Sequence, residues 1–199
     1  MTPKPVPARR GRPRDERAHV AILDAAARLL VDRGPAMMSM DAVAAAAGVS
    51  KATIYRWWPS KEALAMDALY REWDTGAPAE PVGPLREDLR NMLLPWVILI
   101  SGRPYGPVVA GLLAEVLSTP AFALEYRSRF VEHRREHGRL ILQQAIARGE
   151  ISPRTRTEVV LDLLYGPIYH RMLHGHGTLD TTFVDDVIDT VLDGIHPRA

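Results

Sequence analysis

The nine residues Ser50 to Trp58, SKATIYRWW, gather an ammonium, a guanidinium, two hydroxyls, a phenol and two indoles, with no acid among them. On a helix, Ile54 and Trp58 lie four apart, share one face and turn inward. Lys51, Ala52, Thr53, Tyr55 and Arg56 are then presented outward. Lys51 and Arg56 can read guanine edges, Thr53 offers a methyl or a hydroxyl, and Ala52 lets the backbone come close. Trp57 lies beside them, where its ring can pack on a sugar and its indole N–H can donate to a phosphate. The alternative for the same pattern is an ordinary amphipathic helix with a solvated face.

A second cluster sits at the N-terminus. Residues 1–14 carry Lys4, Arg9, Arg10, Arg12 and Arg14 and no acid, whereas the whole chain has a net charge of +1. A basic arm on a slightly acidic body suits a polyanion partner at one end. The arm holds four prolines and little apolar content, so it is expected to be disordered in isolation. Arg10-Gly11-Arg12-Pro13, if extended, is narrow enough to lie in an A·T-rich minor groove. The alternative is a phosphate clamp that adds only counterion release, since four arginines alone say little about sequence.

Other chemistries find less support. There is no cysteine, which excludes disulfides and thiolate metal sites. His133 with His137, and His170 with His174, are four-residue pairs that could chelate a metal, but no carboxylate follows at local spacing; neither a metal nor a cofactor is expected. Gly-rich phosphate loops, nucleophile elbows and zinc motifs are missing, so the chain does not read as an enzyme. No apolar run approaches the ~20 residues that span a bilayer. The basic N-terminus has no apolar segment behind it, so a cytoplasmic location without membrane attachment is expected.

The elements that must position these residues are helical throughout. Ile22, Ala26, Leu29, Leu30 and Arg33 follow three-four spacing up to Gly34-Pro35. Ser39 caps a second helix closed by Gly48, Ser50 caps a third that runs to Trp58 before Pro59, and Ser60 caps a fourth that runs to about residue 73. Val43, Ala44, Ala47, Val49 and Ile54 face the joint between the second and third helices. Their small volume lets the two cross steeply, as in a helix-turn-helix. The stretch 74–84, with three prolines and two glycines, is the clearest boundary. Beyond it, helices are expected at 85–101 (kinked at Pro95), 105–118, 120–148, 155–175 and 180–195. The fold class is all-α. A basic arm (1–14) precedes a helix-turn-helix domain (15–74) built on three helices, and a larger helical bundle (85–199) follows.

Residues from about 17 to 64, carrying ILDAAARLLVDRG and SMDAVAAAAGVSKATIYRWWPSKEAL, resemble the DNA-binding domain of the TetR/AcrR family of transcriptional regulators. The resemblance implies a homodimer that binds a palindromic operator in double-stranded DNA and releases it when a small molecule enters the larger domain. It implies that Lys51, Ala52, Thr53, Tyr55 and Arg56 face DNA below the Ser50 cap. It also implies that Lys61 grips phosphate from the start of the fourth helix, and that Ser39 caps a helix end near phosphate. The chain departs from the family pattern at Trp57 and Trp58, where a histidine or tyrosine followed by phenylalanine is usual.

The larger domain resembles the C-terminal domain of one branch of that family, chiefly through RGEISPRTRTEVVLDLLYGPIYHRML. Its last helix carries the stripe Phe183, Val184, Val187, Ile188 and Val191 opposite Asp185, Asp186, Asp189 and Asp193, and the preceding helix is apolar on more than one side. These features predict a four-helix interface between subunits through Leu164, Ile168, Phe183, Val184, Val187, Ile188 and Val191. Trp96, Tyr105, Phe122, Tyr126, Phe130, Tyr165 and Tyr169 are either a cavity lining for an apolar or aromatic effector or ordinary packing.

Overall fold

The computed structural model describes residues 12–73, 81–102 and 105–195. Among them every regular element is helical: α1 (Arg12–Arg33), α2 (Met40–Ala47), α3 (Lys51–Tyr55), α4 (Lys61–Trp73), α5 (Leu85–Ser101), α6 (Tyr105–Ser118), α7 (Pro120–Glu125), α8 (Glu132–Ala147), α9 (Thr157–His174) and α10 (Thr181–Ile195). A short 3-10 turn at Pro35–Met37 follows α1, and a π-helical segment, Tyr126–Val131, joins α7 to α8. No single helix among the described residues is long and apolar enough to cross a membrane. The chain separates into two compact units, Met1–Ala68 and Leu69–Ala199.

The first unit is built on α1. Its three-four stripe Ile22, Leu23, Ala25, Ala26 and Leu30 is buried, and α2 packs against it with Val43 and Ala44. Gly48 ends α2 at φ 66°, a left-handed conformation that L side chains adopt only with strain. There the Val49 N–H donates to Ala44 O at 3.1 Å and the Gly48 N–H to Ala45 O at 3.4 Å, which satisfies two terminal carbonyls and reverses the chain. The third helix is shorter than its sequence pattern suggests. It ends at Tyr55, and the N–H groups of Trp57 and Trp58 both return to Ile54 O at 3.0 Å. Pro59 disfavours helical backbone at the residue before it, so the chain tightens into a turn early. The first helix begins at Arg12, so Arg12 and Pro13 are helical and not extended as the minor-groove reading required. Arg10 and the rest of the arm's start lie outside the described residues.

In the second unit α5 presents Leu85, Leu89, Leu93, Trp96, Val97 and Ile100 along one buried face, and the helix continues through Pro95. The last helix, α10, packs on α5 and α9. Arg86 Nε donates to Asp189 at 2.7 Å and Arg90 Nε to Asp185 at 2.9 Å, so acidic residues of α10 are paired from α5 at an exposed rim. At Gly138, α8 meets α9 closely; a β-carbon there would collide with Leu161 Cδ2. The single helix expected over 120–148 is interrupted by the π segment. Leu69 is fully buried and Tyr70 Oη bonds to His133 Nε2 at 2.6 Å, so the last part of α4 belongs with the second unit.

The expected subunit interface needs correction. Leu164, Ile168, Val184 and Ile188 are completely buried within one chain, and Phe183, Val187 and Val191 are each only 8% exposed. A strong amphipathic stripe must be covered, but periodicity does not say whether the cover comes from another subunit or from the same chain. Here α5 and α9 supply it. What α9 leaves outside is a different set: Val159, Leu163 and Leu173 are 46%, 51% and 52% exposed, and Gly166 is exposed with open space over its Cα.

Candidate nucleic-acid interface and apolar cleft

The outward face of α3 is assembled by two side-chain caps and one aromatic cluster. Ser39 Oγ accepts from the Ala42 N–H at 3.2 Å and fixes the start of α2. Ser50 Oγ accepts from the Thr53 N–H at 3.2 Å and shares a 2.9 Å bond with Thr53 Oγ1, so the hydroxyl of Thr53 is engaged at the helix start. Ile54 is the buried anchor of α3. Lys51, Ala52, Tyr55 and Arg56 are exposed, and their spacing puts them on the side of α3 away from that anchor. Lys51 Nζ pairs with Asp41 in the first turn of α2 at 2.9 Å. That hydrogen bond, helped by Coulomb attraction to the same carboxylate, raises the Lys51 pKa and keeps the amine charged. Both groups are half exposed or more, so the pair restrains the lysine without neutralising a buried charge.

The tryptophan pair divides as its spacing predicts. Trp58 is 1% exposed, and its Nε1–H donates to Asp67 Oδ2 on α4 at 2.7 Å. His19 of α1 stacks on Trp58 at 4.7 Å and meets Trp57 edge-on at 5.5 Å. Trp57 is half-buried, and the Arg56 guanidinium rests over its ring at 5.1 Å. The turn after α3 is therefore held from α1 and α4 at once, and the Arg56 guanidinium lies against the Trp57 ring. No local pattern marks His19, because its contact is made between segments far apart in the chain. Lys61 is the first residue of α4 and half-buried, where Ser60 Oγ accepts from the Ala63 N–H at 3.1 Å. A helix start of this kind favours anions, phosphate included.

The second unit holds a cleft of about 520 Å³, within the usual size of small-molecule sites, roughly 300–1,000 Å³. Leu113, Val116 and Leu117 line it from α6, Tyr126, Phe130 and Val131 from the π segment, Arg134 and Arg135 from α8, and Asp162, Tyr165, Gly166, Tyr169 and Leu173 from α9. Four of the expected aromatics, Tyr126, Phe130, Tyr165 and Tyr169, are thus at the site. Three are not. Phe122 is 1% exposed in the core, Tyr105 is at the start of α6 away from the lining, and Trp96 lies behind the lining with its ring under Arg134. The aliphatic wall and Arg134 complete the lining, and neither carries a sequence signal that sets it apart from core leucines or a surface arginine.

Arg134 is the polar centre of this cleft. Its guanidinium carbon lies 4.2 Å from the Trp96 ring centroid, 4.6 Å from that of Tyr165 and 4.9 Å from that of Phe130. Its Nη1 donates to Tyr169 Oη at 3.4 Å, and Tyr169 Oη bonds to Tyr126 Oη at 3.3 Å. Burial, and secondarily the neighbouring Tyr169, pushes the Tyr126 phenol well above its ordinary pKa. Burial also raises Tyr165, against the lowering effect of Arg134. Both phenols stay neutral. The neighbouring Arg135 is balanced by Glu158 and Asp162, each at 2.6 Å. His170, His174 and His176 approach one another at the end of α9, but no group of three ligating residues among the described residues could hold a metal ion.

Residues 22–73 match the sequence family described as bacterial regulatory proteins, tetR family, and residues 79–191 match the family described as tetracyclin repressor-like, C-terminal domain. The HTH-type transcriptional regulator YdeS of Bacillus subtilis (strain 168) is 34% identical over 188 residues, 94% of each chain. Among solved structures, the TetR family transcription regulator SCO0332 superposes with a TM-score of 0.76 at 31% identity, covering 90% of this chain and 99% of that one. The flavonoid-responsive regulator FrrA does so with a TM-score of 0.65 at 27% identity, over 92% of this chain and 100% of that one.

Proposed function

Because the chain belongs to the tetR family of bacterial regulatory proteins, a family of DNA-binding transcriptional regulators, we propose that it is a ligand-responsive repressor acting as a homodimer on a palindromic operator. The observation that carries this reading is the exposed set Lys51, Ala52, Tyr55 and Arg56, on α3 and its C-terminal end, opposite the buried anchors Ile54 and Trp58. A rigid helix with cationic and hydroxyl donors on its free side is what major-groove readout needs. In this reading Ser39, Ser50, Thr53 and Lys61 hold the phosphates beside it, and Trp57 stiffens Arg56. The arm, with Arg10 and Arg12, adds counterion release. A DNA partner places the protein in the cytoplasm.

Two copies associate through the outer face of α9, where Val159, Leu163, Gly166 and His170 recur at three-four spacing. An apolar or aromatic effector occupies the cleft around Tyr126, Phe130, Tyr165 and Tyr169. It acts by favouring a dimer whose two recognition helices are wrongly spaced for major grooves ~34 Å apart. The response of FrrA to flavonoids supports an organic effector for this branch of the fold.

The test is fluorescence anisotropy with DNA from upstream of the gene and with random DNA. Arg56→Ala and Lys51→Ala should each lower the preference for operator by about 1–3 kcal/mol. Lys61→Ala should weaken both DNAs alike and reduce the salt slope. Equal losses on both DNAs for all three variants would show that α3 reads no bases.

A further inference from the structure

Given that the cleft takes the effector, we infer that this effector is an amphipathic acid, with an apolar body against the leucine, valine and aromatic wall and a carboxylate on Arg134. Arg134 is the observation that demands it. Its guanidinium is sandwiched among three rings, and Nη2 is buried with no hydrogen-bond partner. Among the described residues its only hydrogen bond is the long one from Nη1 to Tyr169. Among the described residues no carboxylate lies within ion-pair distance of it, although Arg135, Arg139 and Arg148 all have acids beside them.

A half-buried cation on an apolar wall with no counter-ion is costly to the folded chain, and a chain gains nothing structural from leaving it so. Stacking on rings recovers only part of that cost. The Tyr165 hydroxyl is also buried and neutral, and it makes no hydrogen bond of good geometry, although the Arg134 guanidinium lies close enough to oppose the effect of burial on its pKa. The two groups are neighbours, since the Arg134 guanidinium sits over the Tyr165 ring, and both residues line the cleft. One carboxylate satisfies both, with one oxygen accepting from Nη2–H and the other from the Tyr165 O–H. The planar fork of an arginine matches that geometry better than it matches a neutral hydroxyl or ketone. Neither atom is open to water in this structure, so binding must turn the guanidinium toward the cleft. Its single 3.4 Å bond to Tyr169 offers little resistance. The other charged lining residues are Arg135 and Asp162, which pair with each other, so Asp162 does not oppose an anion at Arg134.

The experiment is isothermal titration of the full-length protein with decanoate and with decanol, which share a chain length and differ in the charged head. Wild type should bind decanoate at least about tenfold more tightly than decanol. Arg134→Met keeps the stem's volume and should bring the two affinities within about twofold, chiefly by weakening decanoate. Arg134→Lys should retain a preference for the acid, and Tyr165→Phe should reduce it while leaving decanol unchanged. These last two variants keep the question open to refutation if the methionine variant does not fold. Equal wild-type affinities, or a preference for decanoate that survives in Arg134→Met, overturn the inference while leaving the cleft as the effector site. Binding of neither compound overturns the inference and the cleft reading together.

Discussion

Charge placed on two different faces of the last helices should have opposite consequences. Val187 and Val191 are each 8% exposed beneath α5 and α9, so Val187→Asp with Val191→Asp puts two carboxylates into the interior of a single chain. The lost apolar burial is worth about 1.5 kcal/mol per valine. Each unpaired carboxylate adds about 1–3 kcal/mol or more. The total, about 5–9 kcal/mol, rivals the entire stability of a typical domain, about 5–15 kcal/mol. This variant should lose helical circular dichroism at room temperature. Val159→Asp with Leu163→Asp acts on side chains that are 46% and 51% exposed, where a substitution changes the stability of the single chain by only about 0.5 kcal/mol. This second variant should keep its helicity and sediment as a monomer. A folded, helical monomer from the Val187/Val191 variant would refute the assignment of that stripe to the core. An unaltered dimer from the Val159/Leu163 variant would refute α9's outer face as the contact between copies.

Glu158 is held by Arg139 and Arg135, whose hydrogen bonds pull its pKa from 4.5 to about 2. Its folded value lies below its unfolded one, so the stabilisation is complete above about 4.5 and lost as pH falls toward 2. Glu158→Gln should therefore lower the denaturant midpoint at neutral pH, by less than about 1 kcal/mol because the carboxylate is half exposed, and by less than half that amount at about pH 3; an equal loss at both pH values would refute the ion-pair origin. Gly138→Ala drives a β-carbon into Leu161 where α8 meets α9 and should cost about 1–3 kcal/mol despite alanine's better helix propensity. A raised melting temperature would show that α8 and α9 have room to spare there.

The sequence by itself determined the helical class, the turn and the split of the tryptophan pair. Each of these is a local matter: Ser39 and Ser50 bond backbone three residues on, Gly48 alone accepts its left-handed turn, and Ile54 and Trp58 repeat at helical spacing. The exposed donors of α3 were legible for the same reason, since what lies opposite an anchor on a short helix faces outward. The sequence could not decide which surface covers an apolar stripe. Phe183, Val187 and Val191 satisfy the same pattern whether a second copy or α5 lies over them, and only the packed chain shows that α5 and α9 do. Nor could it decide which ring lines a cleft and which lies behind it, because Trp96, Phe130 and Tyr165 come from different helices. In the sequence Arg134 is one charge in the solvated-looking run EHRREH. It becomes the cation of an apolar cleft only when three helices close around it, since the cost of an unpaired charge depends on what surrounds it in space and not on its neighbours along the chain.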